Sequence, residues 1–238
     1  MRALKLLFLG FLLVLILSPL QVVCQPTTDT IYTPDSDDKD LVAMEIFDTS
    51  GQVIAAGRLY KGKKHGLYRQ YNAKYTLIYL QEFKKGVPDG IALKFGANGA
   101  LELEENYKLG SLNGKRIQYR FGGLKRSVEN FNNGKLEGPK IVYYDSGFKQ
   151  EEAQYTYGLR NGISTWFNQS EIKTIQYTYK NGILEGPAKT FFFNSKVQTE
   201  GNYLNDIEHG EWKHFDENGK LLKSVFYKEG KIEKEVIQ

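Results

Sequence analysis

Chemistry-bearing residues are scarce in this chain: one cysteine, three histidines and two tryptophans among 238 residues. A lone Cys24 rules out an intrachain disulfide. His65, His209 and His214 are too few and too scattered for a metal site with Cys/His spacing. The adjacent carboxylates Glu104-Glu105 and Glu151-Glu152 point to opposite sides of any strand, so neither pair can work as a hydrolytic couple. No apolar run reaches the length of a membrane span either. The longest, Leu6 to Leu17 with Gly10 inside it, follows Arg2 and Lys5 and has the dimensions of an export signal. These shortages argue against an enzyme and against a bound cofactor or metal.

Residues 1–24 are therefore read as a signal peptide. Cys24 stands just after the apolar run in Gln21-Val22-Val23-Cys24, which partly resembles the lipobox of a bacterial lipoprotein. Both lipidation at Cys24 and ordinary signal cleavage nearby stay open. Residues 25–40, QPTTDTIYTPDSDDKD, carry five Asp against one Lys and are expected to be a flexible acidic linker. The remainder, 41–238, has a mild basic excess spread along the chain, which speaks against nucleic-acid binding.

Glycine is plentiful, and its placement is regular. Stepping back from Gly230 by 24 residues gives Asp206, Gly182, Gly158, Gly134, Gly110, Gly86 and Gly62. Four residues after each comes a second series, Gly66, Gly90, Gly114, Gly138, Gly162, Gly186 and Gly210. A third, eleven residues before the first, holds Gly51, Gly99, Gly123, Gly147 and Gly219, broken by Tyr75, Glu171 and Ser195. The three series contain 19 of the 24 glycines, so glycine marks the turns of a repeat.

Aromatics keep the same period. One column is Phe83, Tyr107, Phe131, Tyr155, Tyr179, Tyr203 and Tyr227, with Leu59 before it. The other is Phe47, Tyr71, Phe95, Tyr119, Tyr143, Phe167, Phe191 and Phe215. Between the glycines lie strand-length segments, and corners such as Asn98-Gly99 and Asn218-Gly219 suit hairpin turns. The spacing predicts an all-β, elongated, single-layer antiparallel meander of about eight β-hairpin units over 41–238. Period-2 alternation with Phe215 opposite Leu221 predicts that both aromatic columns share one face. The polar residues Glu82, Asn106, Asn130, Gln154, Thr178 and Asn202 are then expected to face water.

The stretches FNNGKLEGPKIVYYDSGFKQEEAQY (131–155) and YKNGILEGPAKTFFFNSKVQTEGNY (179–203), with the hairpin 210–230, resemble the bacterial variant of the MORN repeat. That resemblance implies an array of β-hairpins, and members of the group often carry an antitoxin label. His65 and His209 share one repeat column and read as turn residues. Asn168-Gln169-Ser170 matches a glycosylation sequon but is weak evidence by itself.

The expected function is that of an exported, envelope-associated scaffold, lipid-anchored or free in the periplasm or medium. It would bind a protein partner through the fourteen aromatics from Tyr71 to Tyr227 in the two columns. Two alternatives stand beside it: a glycan or cell-wall binding module using the same rings, and an antitoxin or immunity-like protein that occludes its partner. Contact with a membrane is expected only through the signal or the lipid anchor.

Overall fold

The computed structural model describes residues 28–238, so the signal peptide and Cys24 lie outside the described residues. Nineteen strands form one sheet, from Asp29–Pro34 to Lys231–Ile237, with no helix among the described residues. Each strand is hydrogen-bonded antiparallel to the next in sequence, except that Lys135–Leu136 and Gly138–Tyr143 together form one interrupted partner of Lys125–Asn132. The expected meander is what the chain forms.

Two kinds of turn alternate along it. Those of the first glycine series are two-residue turns: Lys180 pairs with Ile183 around Asn181 and Gly182, whose φ angles are 51° and 88°. Positive φ at both central positions marks a type I′ turn, whose twist matches that of the strands it joins. Those of the third series are corners in which Gly219 N–H donates to Asp216 O at 2.9 Å and Asp216 N–H to Lys220 O at 2.9 Å. The Asp216 carboxylate accepts from the N–H of Asn218 and Lys220.

The corners without glycine close in the same way. Tyr75, Glu171 and Ser195 take φ of 58°, 59° and 66°, and Asn72 and Asn168 cap their corners as Asp216 does. The sequon residue Asn168 thus has a structural task of its own.

One expectation about the faces fails, for a definite reason. Phe215 does lie opposite Leu221, but His214 lies opposite Lys223. The extra residue, Leu222, makes a β-bulge in the partner strand, so the alternation carried back from Tyr227 and Val225 is reversed at Leu221 and Phe215 stands on the other face. The same register shift precedes Phe47, Tyr71, Phe95, Tyr119, Tyr143, Phe167 and Phe191. The two aromatic columns consequently occupy opposite faces. Hydrogen bonds agree: Tyr107 Oη donates to Glu105 at 2.9 Å, whereas Tyr119 Oη donates to Glu104, the neighbour pointing the other way, at 3.3 Å.

The second glycine series has a double use. Each member lies directly across from an aromatic of the first column, from Gly66 opposite Phe83 to Gly210 opposite Tyr227, so the ring has room where a side chain would stand. Each also sits in a bulge. Around Gly162, for example, the pairing passes from Ala153–Ser164 to Tyr155–Arg160. The polar column expected to face water is partly engaged there: Asn106, Asn130 and Thr178 donate to the carbonyls of Lys115, Pro139 and Pro187 at 2.9, 2.6 and 2.9 Å.

The segment read as a flexible linker also differs. Residues 29–34 form a strand paired with Leu41–Phe47, although their side chains are all exposed. Thr30, Ile31, Tyr32 and Thr33 suit an extended chain, and the free edge of Leu41–Phe47 offers backbone partners to any such neighbour. Asp40 then accepts from Lys61 N–H through its carbonyl and pairs with the Lys61 ammonium at 3.2 Å.

Candidate functional site

Six residues after each first-series position, a residue of the rising strand meets one from the falling strand at the middle of the sheet. Together they make a row crossing every unit: Met44–Gly57, Tyr68–Gln81, Ala92–Glu105, Arg116–Glu129, Lys140–Ala153, Ser164–Tyr177, Ala188–Gly201 and Trp212–Val225. Much of the burial in this sheet lies here, with Ala153 and Ser164 fully enclosed and Ala188, Val225 and Ala92 nearly so. The row shares its face with the first aromatic column.

Sizes in this row complement one another. An added Cβ on Gly201 would overlap the Trp212 indole, and one on Gly57 would come within 2.9 Å of the Tyr68 ring. The indole N–H of Trp212 donates to Asn202 O at 3.2 Å. Around Trp212 the rings interlock edge to face: Trp166–Tyr177, Tyr177–Tyr203, Tyr203–Trp212 and Trp212–Tyr227 have centroids 5.8, 5.7, 5.2 and 6.4 Å apart at 65–78°. Such geometry adds attraction beyond area burial. Arg160 fits between Tyr155, Trp166 and Tyr179, its guanidinium 5.3–5.7 Å from the three ring centroids, and it pairs with Glu151. At the other end Lys64 Nζ lies 3.6 Å over Tyr68.

The middle of the row is ionic instead. Arg116 pairs with Glu105 at 3.2 Å and Lys140 with Glu129 at 2.9 Å. On the reverse face the same units carry Leu80, Leu93, Ile117, Val128 and Ile141, all half-buried, whereas Lys189 and Glu200 pair there further on, at 2.9 Å. The more apolar side of the sheet therefore passes from one face to the other in the central units and back again.

Of the fourteen predicted rings, Phe83, Tyr107, Phe131, Tyr155, Tyr179, Tyr203 and Tyr227 line the face of the buried row. Tyr71, Phe95, Tyr119, Tyr143, Phe167, Phe191 and Phe215 line the reverse. All are half-buried. Tyr68, Trp166, Tyr177 and Trp212 belong to the first group and were missed, because their columns hold a different residue type in almost every unit.

His65 has a structural role. His65 Nδ1 accepts from Lys85 N–H at 3.3 Å, as Asp89 and Glu137 accept from Leu109 and Tyr157 N–H one and three units on. Burial, with Lys223 nearby, pushes the His214 pKa down. No group of three or more His, Cys, Asp or Glu able to hold a metal occurs among the described residues. No helix among them is long and apolar enough to cross a membrane.

Burial, reinforced by Glu105, raises the Tyr107 phenol to about 12, and burial beside Tyr177 does the same for Tyr203. Unfolded tyrosine ionises near pH 10, so the folded state holds these protons longer. Their contribution to stability is whole below pH 10 and disappears as pH climbs toward 12. Alkaline titration followed by circular dichroism is expected to show unfolding in that window, shifted upward in Tyr203→Phe.

Architecturally the chain is a β-hairpin repeat array. The MORN repeat variant model matches residues 184–205 and 208–229, so these two adjacent C-terminal units are MORN repeats of that variant. No curated protein matches the chain. Among solved structures it is similar to a chain of the Photorhabdus luminescens Tc holotoxin pore at 10% identity and a TM-score of 0.25, over 84% of this chain and 13% of that one. So low a score supports no argument about fold or function.

Proposed function

We propose that this is an exported, envelope-associated repeat protein that binds a protein partner along the face bearing Tyr155, Tyr179, Tyr203 and Tyr227. The supporting observation is the interlocked strip from Trp166 to Tyr227, half-exposed on a sheet that has no second layer among the described residues. Extended apolar surface of this kind marks interaction sites, and tyrosine suits a partner that presents both apolar and polar groups. Glycan binding is the weaker reading. A sugar ring stacks on an open flat ring, whereas these rings are tilted onto one another and Trp212 is only 7% exposed. An antitoxin-like role would use the same face to occlude its partner.

A photo-crosslinking residue at Tyr179 is expected to capture one protein species from envelope extracts, with little capture from Lys189 on the reverse face. With the crosslinker kept at position 179, Tyr155→Ala together with Tyr203→Ala should abolish that capture while the circular dichroism spectrum is kept. Equal capture from both faces, or binding to purified wall polysaccharide alone, would sink the proposal. Anchoring is tested apart from it: a fatty-acid analogue should label the intact chain and not Cys24→Ala, and an unlabelled intact chain removes the anchor.

A further inference from the structure

The basic excess, evenly spread in sequence, is gathered by the fold onto one rim. The two central residues of the eight type I′ turns and the residues flanking them include nine lysines against only Asp206 and Glu229. The corner rim carries four cations against five carboxylates. Rim lysines are densest in the first three turns. There Lys61 is taken up by Asp40, but Lys63, Lys84, Lys85 and Lys108 make no ion pair among the described residues.

Between the second and third turns lies an open hollow of about 310 Å3, lined by Lys84, Lys85, Val87, Asp89 and Leu109. Its apolar walls are exposed, Leu109 to 75% and Val87 to 41%. Contacts with the neighbouring turn run beneath them. Val87 packs over Gly110, whose absent Cβ would come within 3.2 Å of Cγ1, and Leu109 N–H donates to Asp89 Oδ1 at 3.4 Å.

We infer that this hollow is a docking notch for an acidic segment of a protein partner, in which one bulky apolar side chain enters between Val87 and Leu109 and flanking carboxylates meet Lys84, Lys85 and Lys108. The inference rests on the protein-binding reading above and adds the chemistry of what is bound. The volume is at the small end for a ligand pocket, suited to one discrete side chain, and unpaired lysines on both sides favour negative charge. A lipid bilayer fits less well. The usual strand twist of about 20–25° turns successive rim tips, two strands apart, by about 40–50°, so a flat surface cannot follow the lysines from turn to turn as a peptide can.

Selection of a displayed random-peptide library on the full array, followed by titration of the synthetic consensus peptide, tests this. The expected consensus is one aliphatic or aromatic residue among Asp and Glu, and its binding should weaken about tenfold or more in Lys84→Glu/Lys85→Glu and in Leu109→Asp. A milder Lys84→Gln/Lys85→Gln variant should weaken it less, and retention of the circular dichroism spectrum separates lost binding from lost fold. Peptides without acidic residues, binding unchanged in these variants, or binding only to phosphatidylglycerol vesicles would overturn the notch. If crosslinking at Tyr179 succeeds while the notch variants bind normally, only the notch fails. The reverse outcome removes only the aromatic-face reading.

Discussion

Gly201→Val is expected to destabilise the C-terminal units by about 3 kcal/mol, the upper part of the range for forcing extra volume into a packed site. The argument is geometric. Gly201 lies beside Trp212, whose indole occupies the space a Cβ would need and holds its place by donating to Asn202 O. Trp212→Ala removes the ring that packs against both Tyr203 and Tyr227 and should cost about 3–5 kcal/mol. The double variant is more informative than either. With the indole gone, valine at 201 fills part of the cavity, so its own cost should fall sharply, and the cycle should give a coupling of about 1–3 kcal/mol. Repeat arrays unfold locally as well as globally, so hydrogen exchange in strands Val197–Leu204 and Ile207–Phe215 is the appropriate readout. Costs that simply add would mean that the two residues do not share this space.

The same pair shows where sequence reading reached its limit. Glycine and aromatic columns repeat one residue type, because a type I′ turn or a ring facing a glycine is needed in every unit. Period, hairpins and unit count were therefore open to inspection. The buried row repeats nothing visible. Tyr68 meets Gln81, Ala188 meets Gly201 and Trp212 meets Val225; what each unit preserves is a filled or neutralised space, and many residue pairs meet that demand. Nor does the bulge before Phe215 leave a mark in period-2 alternation, so seven of the fourteen proposed binding rings were assigned to the wrong face. Clustering of lysine on one rim was equally hidden, since residues 24 apart become neighbours only once the hairpins stack.

Lys140→Ala is expected to destabilise the central units by about 3 kcal/mol, the loss that follows when one member of a shielded ion pair is left alone. Glu129 is 8% exposed and its pair with Lys140 spans 2.9 Å; without the ammonium, its carboxylate has little water to turn to. Restoring neutrality should restore stability. In Lys140→Ala/Glu129→Gln most of the loss should return, since Gln81 occupies the corresponding position two units earlier at 6% exposure. Hydrogen exchange over Lys125–Asn132 and Gly138–Tyr143 would report both variants, and equal protection in the single and double variants would remove the ionic explanation. The pair also accounts for the change of sidedness. Where Glu105, Arg116, Glu129 and Lys140 occupy one face, apolar burial has to come from Leu93, Ile117, Val128 and Ile141 on the other. The central units are thus the place where a partner gripping one apolar face would have to let go or cross the sheet. This limits a continuous contact on the aromatic face to the units from Ala153 onward, where Tyr155, Tyr179, Tyr203 and Tyr227 lie.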